Sequence, residues 1–431
     1  MSKLQVAEAG SAEDFAALEL PGQVQLSLGE IVGDAKEGLL ALAVRTGLLV
    51  LQETMEYEVE RIVGPKGRQN RARVAKRHGH TGGEVTLGGQ RVAVRRPRVR
   101  SADDRDEIGL ESYREFACRD PLAKVMLERM LAGVSSRSYR RAGEPVGSVI
   151  QQQSRGVSKS AVSRTFVRRT RTALSDLLSR RLDQLELVAL MIDAIELEER
   201  CHVVALGITL DGTKVPLGLW EGSTENATTA TALLVDLQER GLGFDQPILC
   251  VIDGAKALSK AIRSVIGNRT PIQRCVQHKA RNVCDQLPKD QRPWIRSKLR
   301  AIWAEEDYPK ALSSMKALAR ALEREHPAAA ASLREGMQET LTVTRLGITG
   351  ALKRTLHSTN PIESMFNIVR HTQRNVKRWQ SGDMRVRWTA AGMLEAERNF
   401  RRIKGRHQLV RLAAALGQEL QPEETATVQA A

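Results

Sequence analysis

The chain has 431 residues and a formal net charge of +15, because 66 Lys and Arg outnumber 51 Asp and Glu. This length predicts about three domains, and the positive charge favours a nucleic acid as partner. The five cysteines are an odd number in a large chain without a secretory leader, which argues against a disulfide-bonded secreted protein.

Residues 1–60 form the first predicted region, which we expect to be helical. The run from Gly38 to Leu51 is apolar but interrupted by Arg45, so it is too short and too polar to span a membrane. We expect an amphipathic helix that contacts a core, a dimer partner or DNA. The absence of a signal-peptide pattern predicts a cytoplasmic protein.

Residues 61–117 are strongly basic. Between Arg61 and Arg100 the sequence holds twelve Lys or Arg residues and Glu84 as its single acid. Glycine pairs at 82–83 and 88–89, with apolar alternation around them, predict a β-hairpin that presents this charge; a flexible basic arm is the alternative. Either form predicts DNA binding. The candidate contact residues are Arg71, Arg73, Lys76, Arg77, Arg95, Arg96, Arg98 and Arg100.

Residues 118–182 contain a second candidate DNA-binding element. Leu122 to Leu131 has helical character, and Ser158 is a suitable N-cap for the basic helix that follows. The pattern is typical of a helix-turn-helix, whose recognition helix would direct its first turns at base edges and later arginines at the backbone. The alternative is an ordinary connecting helix. The candidate contact residues are Lys159, Ser160, Arg164 and Arg168.

The next segment reads as three strands, a helix and a fourth strand. Apolar runs at Leu187–Ile192, Val203–Leu210 and Val215–Trp220 predict strands, and an Asp-Gly turn joins the second to the third. Asn226 to Leu242 has helical spacing, and Pro247–Ile252 predicts a buried strand. The predicted fold class of this region is therefore α/β.

Two acids follow apolar runs in this region, and a third opens a basic helix. Asp193 and Asp253 lie at the ends of predicted central strands, where neighbouring strands can bring their carboxylates together. Glu363 has two readings, because Asn360 as N-cap and Glu363 in the first turn also fit a capping box. Beyond the cap, one helix face is apolar and the other is polar, bearing Glu363, Arg370, Arg374 and Lys377. This polar face can meet DNA phosphates, and Arg374 and Lys377 are candidate DNA contacts.

Four blocks resemble the Mutator-type insertion-sequence transposases of bacteria, which are DDE transposases. Ser358–Ser364, with Arg370 seven residues after its glutamate, is similar to their third-carboxylate motif. The others are Met191–Ala194, Val251–Lys256 and Gln273–Lys279, the last holding a C-x2-H signature. A C-terminal stretch from Val376 to Phe400 is also similar, so the resemblance covers roughly residues 35–405.

The resemblance implies a ribonuclease H-like core in two parts, at 183–280 and 351–405, separated by a helical insertion at 281–350. The composition of the insertion fits, since prolines divide a stretch rich in Ala, Leu and charged residues into several helices. Residues 406–431 are predicted to be a C-terminal tail. Mainly helical DNA-binding domains, including the helix-turn-helix, would precede this core.

The resemblance also implies a chemistry. Asp193, Asp253 and Glu363 would be the catalytic residues and the ligands of two Mg²⁺ ions, with Mn²⁺ able to substitute, for cleavage and joining of phosphodiesters. Asn360, Arg370, Cys275 and His278 would be accessory residues. We expect no zinc, because the C-x2-H pair lacks a matching second pair, and no ATP, because the sequence has no P-loop.

The expected partners are double-stranded DNA, as terminal inverted repeats and target, and further copies of the chain in a homodimer or larger oligomer. We expect no membrane partner, and a nucleoid-associated location in the bacterial cytoplasm. Two alternative functions are a catalytically silent DNA-binding regulator and a ribonuclease H-like structure-specific nuclease.

Overall fold

The computed structural model falls into two compact units, Met1–Arg169 and Thr170–Ala431. Within the described part of the chain, no helix is both long enough and apolar enough to cross a lipid bilayer. The structure describes residues 39–68, 73–87, 90–118, 123–134, 154–156, 158–198, 200–222, 226–245, 248–268, 270–380 and 382–417.

The N-terminal unit combines helices with a small sheet. Helix α1 (Leu39–Val63) packs its buried face on the hairpin formed by β1 (Ala75–Leu87) and β2 (Gln90–Ser101). The predicted β-hairpin is therefore confirmed, and the alternative of a flexible basic arm is not. Strand β2 also pairs with two short strands, β3 and β4, so this unit is less helical than predicted. The remaining elements are β3 (Glu107–Ile108), α2 (Glu111–Cys118), α3 (Ala123–Leu131) and β4 (Ser154–Gly156).

Helix α4 (Lys159–Ser179) begins in the first unit and ends in the second. The Ser158 hydroxyl accepts a hydrogen bond of 3.2 Å from the Ala161 backbone N–H, which confirms Ser158 as the N-cap. Lys159, Ser160 and Arg164 are exposed on its first turns. Residues 135–153 lie outside the described residues, so the helix-turn-helix stays a prediction.

The second unit is built on a five-stranded mixed sheet. Strands β5 (Leu187–Leu197), β6 (Arg200–Thr209) and β7 (Lys214–Gly222) form an antiparallel meander, and β8 (Leu249–Ile252) and β9 (Ile272–Arg274) add in parallel beyond β5. The sheet order is therefore β7-β6-β5-β8-β9. The predicted three strands, helix and fourth strand are confirmed, while β9 was not predicted.

Helices cover both faces of this sheet. On one face, α5 (Ala227–Glu239) and α6 (Lys256–Val265) bury apolar side chains against alternate residues of β5 and β8. On the other face, α13 (Asn360–Gln373), α14 (Gly382–Asn399) and α15 (Leu409–Ala415) do the same. The assignment of 406–431 to a tail is wrong for 406–417, because the apolar side chains of α15 are buried in this core. Residues 418–431 lie outside the described residues.

Six helices and a 3-10 turn separate β9 from α13, and the first four helices with the 3-10 turn have an apolar core of their own. The last two helices bury Val343, Leu352 and Leu356 in the core of the sheet. Prolines occupy the first turns of three of the six helices, as predicted, because proline lacks the N–H that a first turn leaves unbonded. The elements are α7 (Val276–Asp285), α8 (Arg292–Ala304), α9 (Tyr308–Glu323), α10 (Pro327–Arg334), the 3-10 turn Gln338–Leu341, α11 (Thr342–Arg345) and α12 (Gly350–Leu356).

Candidate active site

Asp193 and Asp253 come from neighbouring parallel strands. Ile192 of β5 is paired with Ile252 of β8. Asp193 directly follows Ile192, and Asp253 directly follows Ile252. Side chains alternate between the faces of a strand, and Met191 and Val251, two positions earlier, both face the helix α13 side. Asp193 therefore lies on the face that α13 covers, and Asp253, directly after the neighbouring strand, is close enough to affect its charge.

Local backbone groups orient both aspartates. The Ala194 N–H donates to Asp193 Oδ1 at 2.8 Å, and the Ala255 N–H donates to Asp253 Oδ1 at 2.7 Å. Asp193 is only 8% exposed, since β5 continues past it to Leu197 instead of ending at it. The carboxylate of Asp193 thus sits at the bottom of the site, while Asp253 stands in the loop after β8.

Glu363 is delivered to the same face by α13. The apolar stripe of this helix is buried in the sheet core, as predicted, and its polar face bears Arg370, which is exposed. The prediction that Asn360 is the N-cap is wrong, because Thr359 holds that position and Asn360 is the first helical residue. The Thr359 hydroxyl donates to Glu363 Oε1 at 3.1 Å, so the glutamate is held by a side chain one turn earlier.

The electrostatics of Asp193 report the proximity of the other two acids. The pKa of Asp193 is raised to about 7, mainly by burial and also by the charges of Asp253 and Glu363, against the opposing effects of the Ala194 N–H and His278. A site with converging carboxylates and one strongly disfavoured negative charge is the kind that a divalent cation stabilises.

The donor chemistry fits magnesium. Mg²⁺ takes one or two protein carboxylates and completes its shell with water and substrate phosphate. Within the described ranges, no three His, Cys, Asp or Glu side chains converge closely enough to hold one ion by themselves. Asp193 and Asp253 from adjacent strands, with Glu363 opposite, offer the hard oxygen ligands that such an open site needs.

The C-x2-H pair contacts the glutamate helix. Cys275 is fully buried at the start of α7, and its sulfur accepts from the Thr359 N–H at 3.4 Å and lies 3.4 Å from the Thr359 hydroxyl oxygen. His278 Nε2 lies 3.8 Å from Glu363 Oε1, and its Nδ1 lies 3.5 Å from the Thr359 hydroxyl. The motif therefore connects α7 to the first turn of α13.

These contacts shift the pKa of His278 upward. The hydrogen bond to Cys275 is the main cause, and the negative charges of Cys275, Asp193 and Asp253 add to it, so the pKa reaches about 9 despite burial. The imidazole carries a proton at neutral pH for as long as these acids remain uncompensated. His278 thus belongs electrostatically to the same site as the three acids.

Three residues of the same block were not assigned roles from the sequence. Buried Gln273 donates to the Thr340 carbonyl at 3.0 Å and accepts from the Val343 N–H at 2.9 Å. Lys279, fully buried, donates to the carbonyls of Ser332 and Glu335 at 2.7 and 2.6 Å. These bonds tie β9 and α7 to the later helices of the insertion.

Arg274 is the third of these residues. Its guanidinium packs against Gly254, whose φ of +106° suits only glycine and where an added Cβ would overlap the arginine. Arg274 also pairs with Glu335 at 3.4 Å.

The sequence contains a signal for the burial of Lys279. This residue lies three residues after Val276 and four before Val283, on the apolar face of its helix.

Several predicted DNA contacts of the hairpin already have acidic partners. Lys76 pairs with Asp104 and Arg77 with Glu56, while Arg96 and Arg98 both reach Glu107. Arg73 and Arg95 are exposed, Arg100 is half-buried, and Arg71 lies outside the described residues. Arg168 of α4, and Arg374 and Lys377 beyond the glutamate helix, are exposed as well.

Comparison with known proteins gives a consistent result. The family model described as "Transposase, Mutator family" matches residues 23–402. The transposase of insertion sequence IS6120 from Mycolicibacterium smegmatis is 33% identical over 198 residues, which cover 44% of this chain and 60% of that protein. The transposase of IST2 from Acidithiobacillus ferrooxidans is 30% identical over 177 residues, covering 41% and 58% respectively.

A third relative aligns with a longer part of this chain. The transposase of IS256 in transposon Tn4001 from Staphylococcus aureus is 26% identical over 340 residues, covering 76% of this chain and 83% of that protein. The chain spans about three fifths of the length of the IS6120 and IST2 relatives. The family match includes the strands and helices that carry all three acids, and it shows that the chain belongs to the Mutator family of transposases.

Proposed function

We propose that this protein is a DDE-type DNA transposase, which binds the terminal inverted repeats of an insertion sequence and catalyses strand cleavage and strand transfer. The observation that carries the proposal is the proximity of Asp253 and Glu363 to Asp193, whose charge they both affect. Family membership supports it. The mixed sheet with helices on both faces, split after β9 by a helical insertion, supports a ribonuclease H-like core.

The proposed catalytic centre holds two Mg²⁺ ions, with Mn²⁺ able to replace them. Two such ions activate a water or a 3′-hydroxyl and stabilise the leaving oxygen of the phosphodiester. Asp193 and Asp253 are the proposed shared ligands, and Glu363 completes the second position. Thr359 and Cys275 hold the start of α13 in place, so that the Glu363 carboxylate faces the two aspartates.

The proposed substrate is double-stranded DNA, bound by a homodimer or larger oligomer that brings two ends together. The formal charge of +15 supports a polyanionic substrate. The basic hairpin β1–β2 and the first turns of α4 are the proposed recognition surfaces of the N-terminal unit. Arg370, exposed two turns after Glu363 on its polar face, is proposed to guide the DNA toward the acids.

The test is Mg²⁺-dependent cleavage and joining of DNA that carries the ends flanking this gene. Wild type should produce both cleaved and joined products, and Glu363→Gln should produce neither while it binds the same DNA. Cleavage without joining would favour a structure-specific nuclease. Binding without cleavage by a folded wild type, in Mg²⁺ and in Mn²⁺, would favour a DNA-binding regulator.

A further inference from the structure

A cavity of about 670 Å³ opens between the helical insertion and the first turn of α13. Its walls come from α7, α8 and α12, which all belong to the second unit. A volume of this size suits a ligand as large as one or two nucleotides and is too small for a DNA duplex. The shape therefore selects a small or single-stranded ligand.

The lining of the cavity is strongly cationic. Four arginines and a lysine face it, with Glu306 as the single acid. Glu306 Oε1 accepts from the Gly350 N–H at 3.2 Å, so this carboxylate is already engaged by backbone. The five cations are Arg281, Arg296, Arg300, Lys353 and Arg354.

The arginines have no compensating carboxylates. In the part of the chain that the structure describes, no Asp or Glu lies within ion-pair distance of Arg281, Arg296, Arg300 or Arg354. Some exposed arginines elsewhere in this unit have such partners, as Arg171 has Asp383 and Arg402 has Asp211. Unpaired like charges around one concavity repel one another, and an anion in the cavity would relieve that repulsion.

His357 registers this positive potential, whereas the charges that act on Lys353, from Glu306 and Glu305, raise its pKa against the effect of burial. Burial, with the charges of Lys353 and Arg354, lowers the pKa of His357 to about 4. Burial also lowers the pKa of Lys353, which is 4% exposed and donates to the Glu305 carbonyl. The Nδ1 atom of His357 is buried and has no hydrogen-bond partner among the described residues. Cations thus outnumber acids around the cavity.

The cavity adjoins the candidate active site through two elements. Asn360 lines it and is the first residue of α13, one turn before Glu363. Gln277 and Ala280 line it from α7, the helix whose His278 lies 3.8 Å from Glu363. A strand whose scissile phosphate lies at the three acids would pass the mouth of this cavity with its neighbouring nucleotides.

We propose that this cavity binds the phosphates of one or two single-stranded nucleotides next to the cleavage point. The inference rests on the proposed function, because it places the scissile phosphate at the acids. Arg296 and Arg300, one turn apart on α8, are the main proposed phosphate contacts. The guanidinium planes also offer stacking surfaces to unpaired bases.

The test measures binding of a short fluorescein-labelled oligothymidylate to the full chain by fluorescence anisotropy, without divalent metal, over a range of salt concentrations. For Arg296→Gln/Arg300→Gln we expect weaker binding and a slope of log K against log [salt] reduced by about 1.4, the value for two lost phosphate contacts on a single strand. Lys298→Gln/Arg324→Gln removes the same charge from exposed insertion positions outside the cavity and should leave the slope nearly unchanged.

A second pair of variants changes shape without changing charge. Ala304 lines the cavity, and Ala301 is exposed on the same helix outside it. Ala304→Trp should block oligothymidylate binding to the cavity, whereas Ala301→Trp should not. The proposal is overturned if each cavity variant binds as its control does, at equal folding by circular dichroism.

Competition separates a DNA strand from a free phosphate compound. Tripolyphosphate is added to the wild type and to the control variants. If it displaces the oligonucleotide only at concentrations where it also weakens oligonucleotide binding to the control variants by ionic screening, the result supports a DNA ligand. Saturable tripolyphosphate binding, lost in Arg296→Gln/Arg300→Gln while oligothymidylate binding is kept, would overturn it in favour of a small polyphosphate. None of these binding measurements requires DNA cleavage. If the protein cuts its DNA ends normally but all variants show the same salt slope, the cavity proposal is refuted and the proposed function is not.

Discussion

Replacing Cys275 with alanine should slow DNA cleavage without weakening DNA binding. The buried sulfur accepts a hydrogen bond from the N–H of Thr359, which directly precedes α13. Alanine removes this acceptor and leaves the buried Thr359 N–H without a partner, which costs roughly 1–3 kcal/mol. The first turn of α13 should then move toward a position where that N–H is satisfied.

The catalytic effect follows from the position of Glu363. Its carboxylate accepts from the Thr359 hydroxyl at 3.1 Å, so a shift of Thr359 displaces the proposed metal ligand. A displacement of about 1 Å at a reacting centre costs on the order of 100-fold in rate. We therefore expect kcat for cleavage to fall about 10- to 100-fold. The KM for DNA should be unchanged, because Cys275 is fully buried and contacts no substrate.

The matched control is Cys284→Ala. Cys284 is also fully buried, near the other end of α7, and its sulfur lies 3.9 Å from the Arg292 carbonyl, away from α13. Both variants lose the same atom from the same helix, so thermal unfolding should show similar losses of stability. Cys275→Ser, which keeps an acceptor, should restore most of the cleavage rate. Equal single-turnover cleavage rates for the two alanine variants, at similar stability, would refute the reasoning.

Three further predictions concern the metal, the pH and the hairpin. Asp193→Asn should abolish cleavage at unchanged DNA affinity and remove the rise in melting temperature that Mg²⁺ gives the wild type; a retained rise would exclude Asp193 as a ligand. Burial and the Arg385 charge lower the pKa of His202 to about 4, so the unfolded chain takes up this proton first and the free energy of unfolding falls by about 3 kcal/mol as the pH drops from about 6.5 to about 4. Urea unfolding of His202→Leu should lack this loss, and a parallel pH profile would contradict it. Neutralising Arg95, Arg96 and Arg98 should reduce the salt slope of duplex binding by up to about 2.7; an unchanged slope would remove the hairpin from the interface.

Elements with strong local signals could be predicted from the sequence. The hairpin β1–β2 follows from glycine pairs within an alternating pattern, and the insertion helices follow from prolines that each open a first turn. The pairing of Asp193 with Asp253 was predicted from two apolar runs that end in an acid. For the hairpin, the helices and each apolar run, the residues that determine the structure are close together in the sequence.

Features that depend on tertiary contacts could not be predicted. Thr359 and Asn360 are both good N-cap residues, and the choice of Thr359 accompanies its hydrogen bond to Cys275, a residue distant in sequence. Strand β9 has three residues, too few for a recognisable period. Helix α15 is a short apolar segment after basic residues, and only its burial against the sheet distinguishes it from a tail.

The block from Gln273 to Lys279 joins three parts of the second unit, which explains how its residues act together. Gln273 and Lys279 bond the insertion, Arg274 packs against Gly254 beside Asp253, and Cys275 holds the start of α13. The loop of the second acid and the helix of the third are thus positioned from one strand–helix junction. Because the same junction anchors the insertion, a DNA contact of the kind proposed for the insertion would act on an element bonded directly to the residues that hold Asp253 and Glu363.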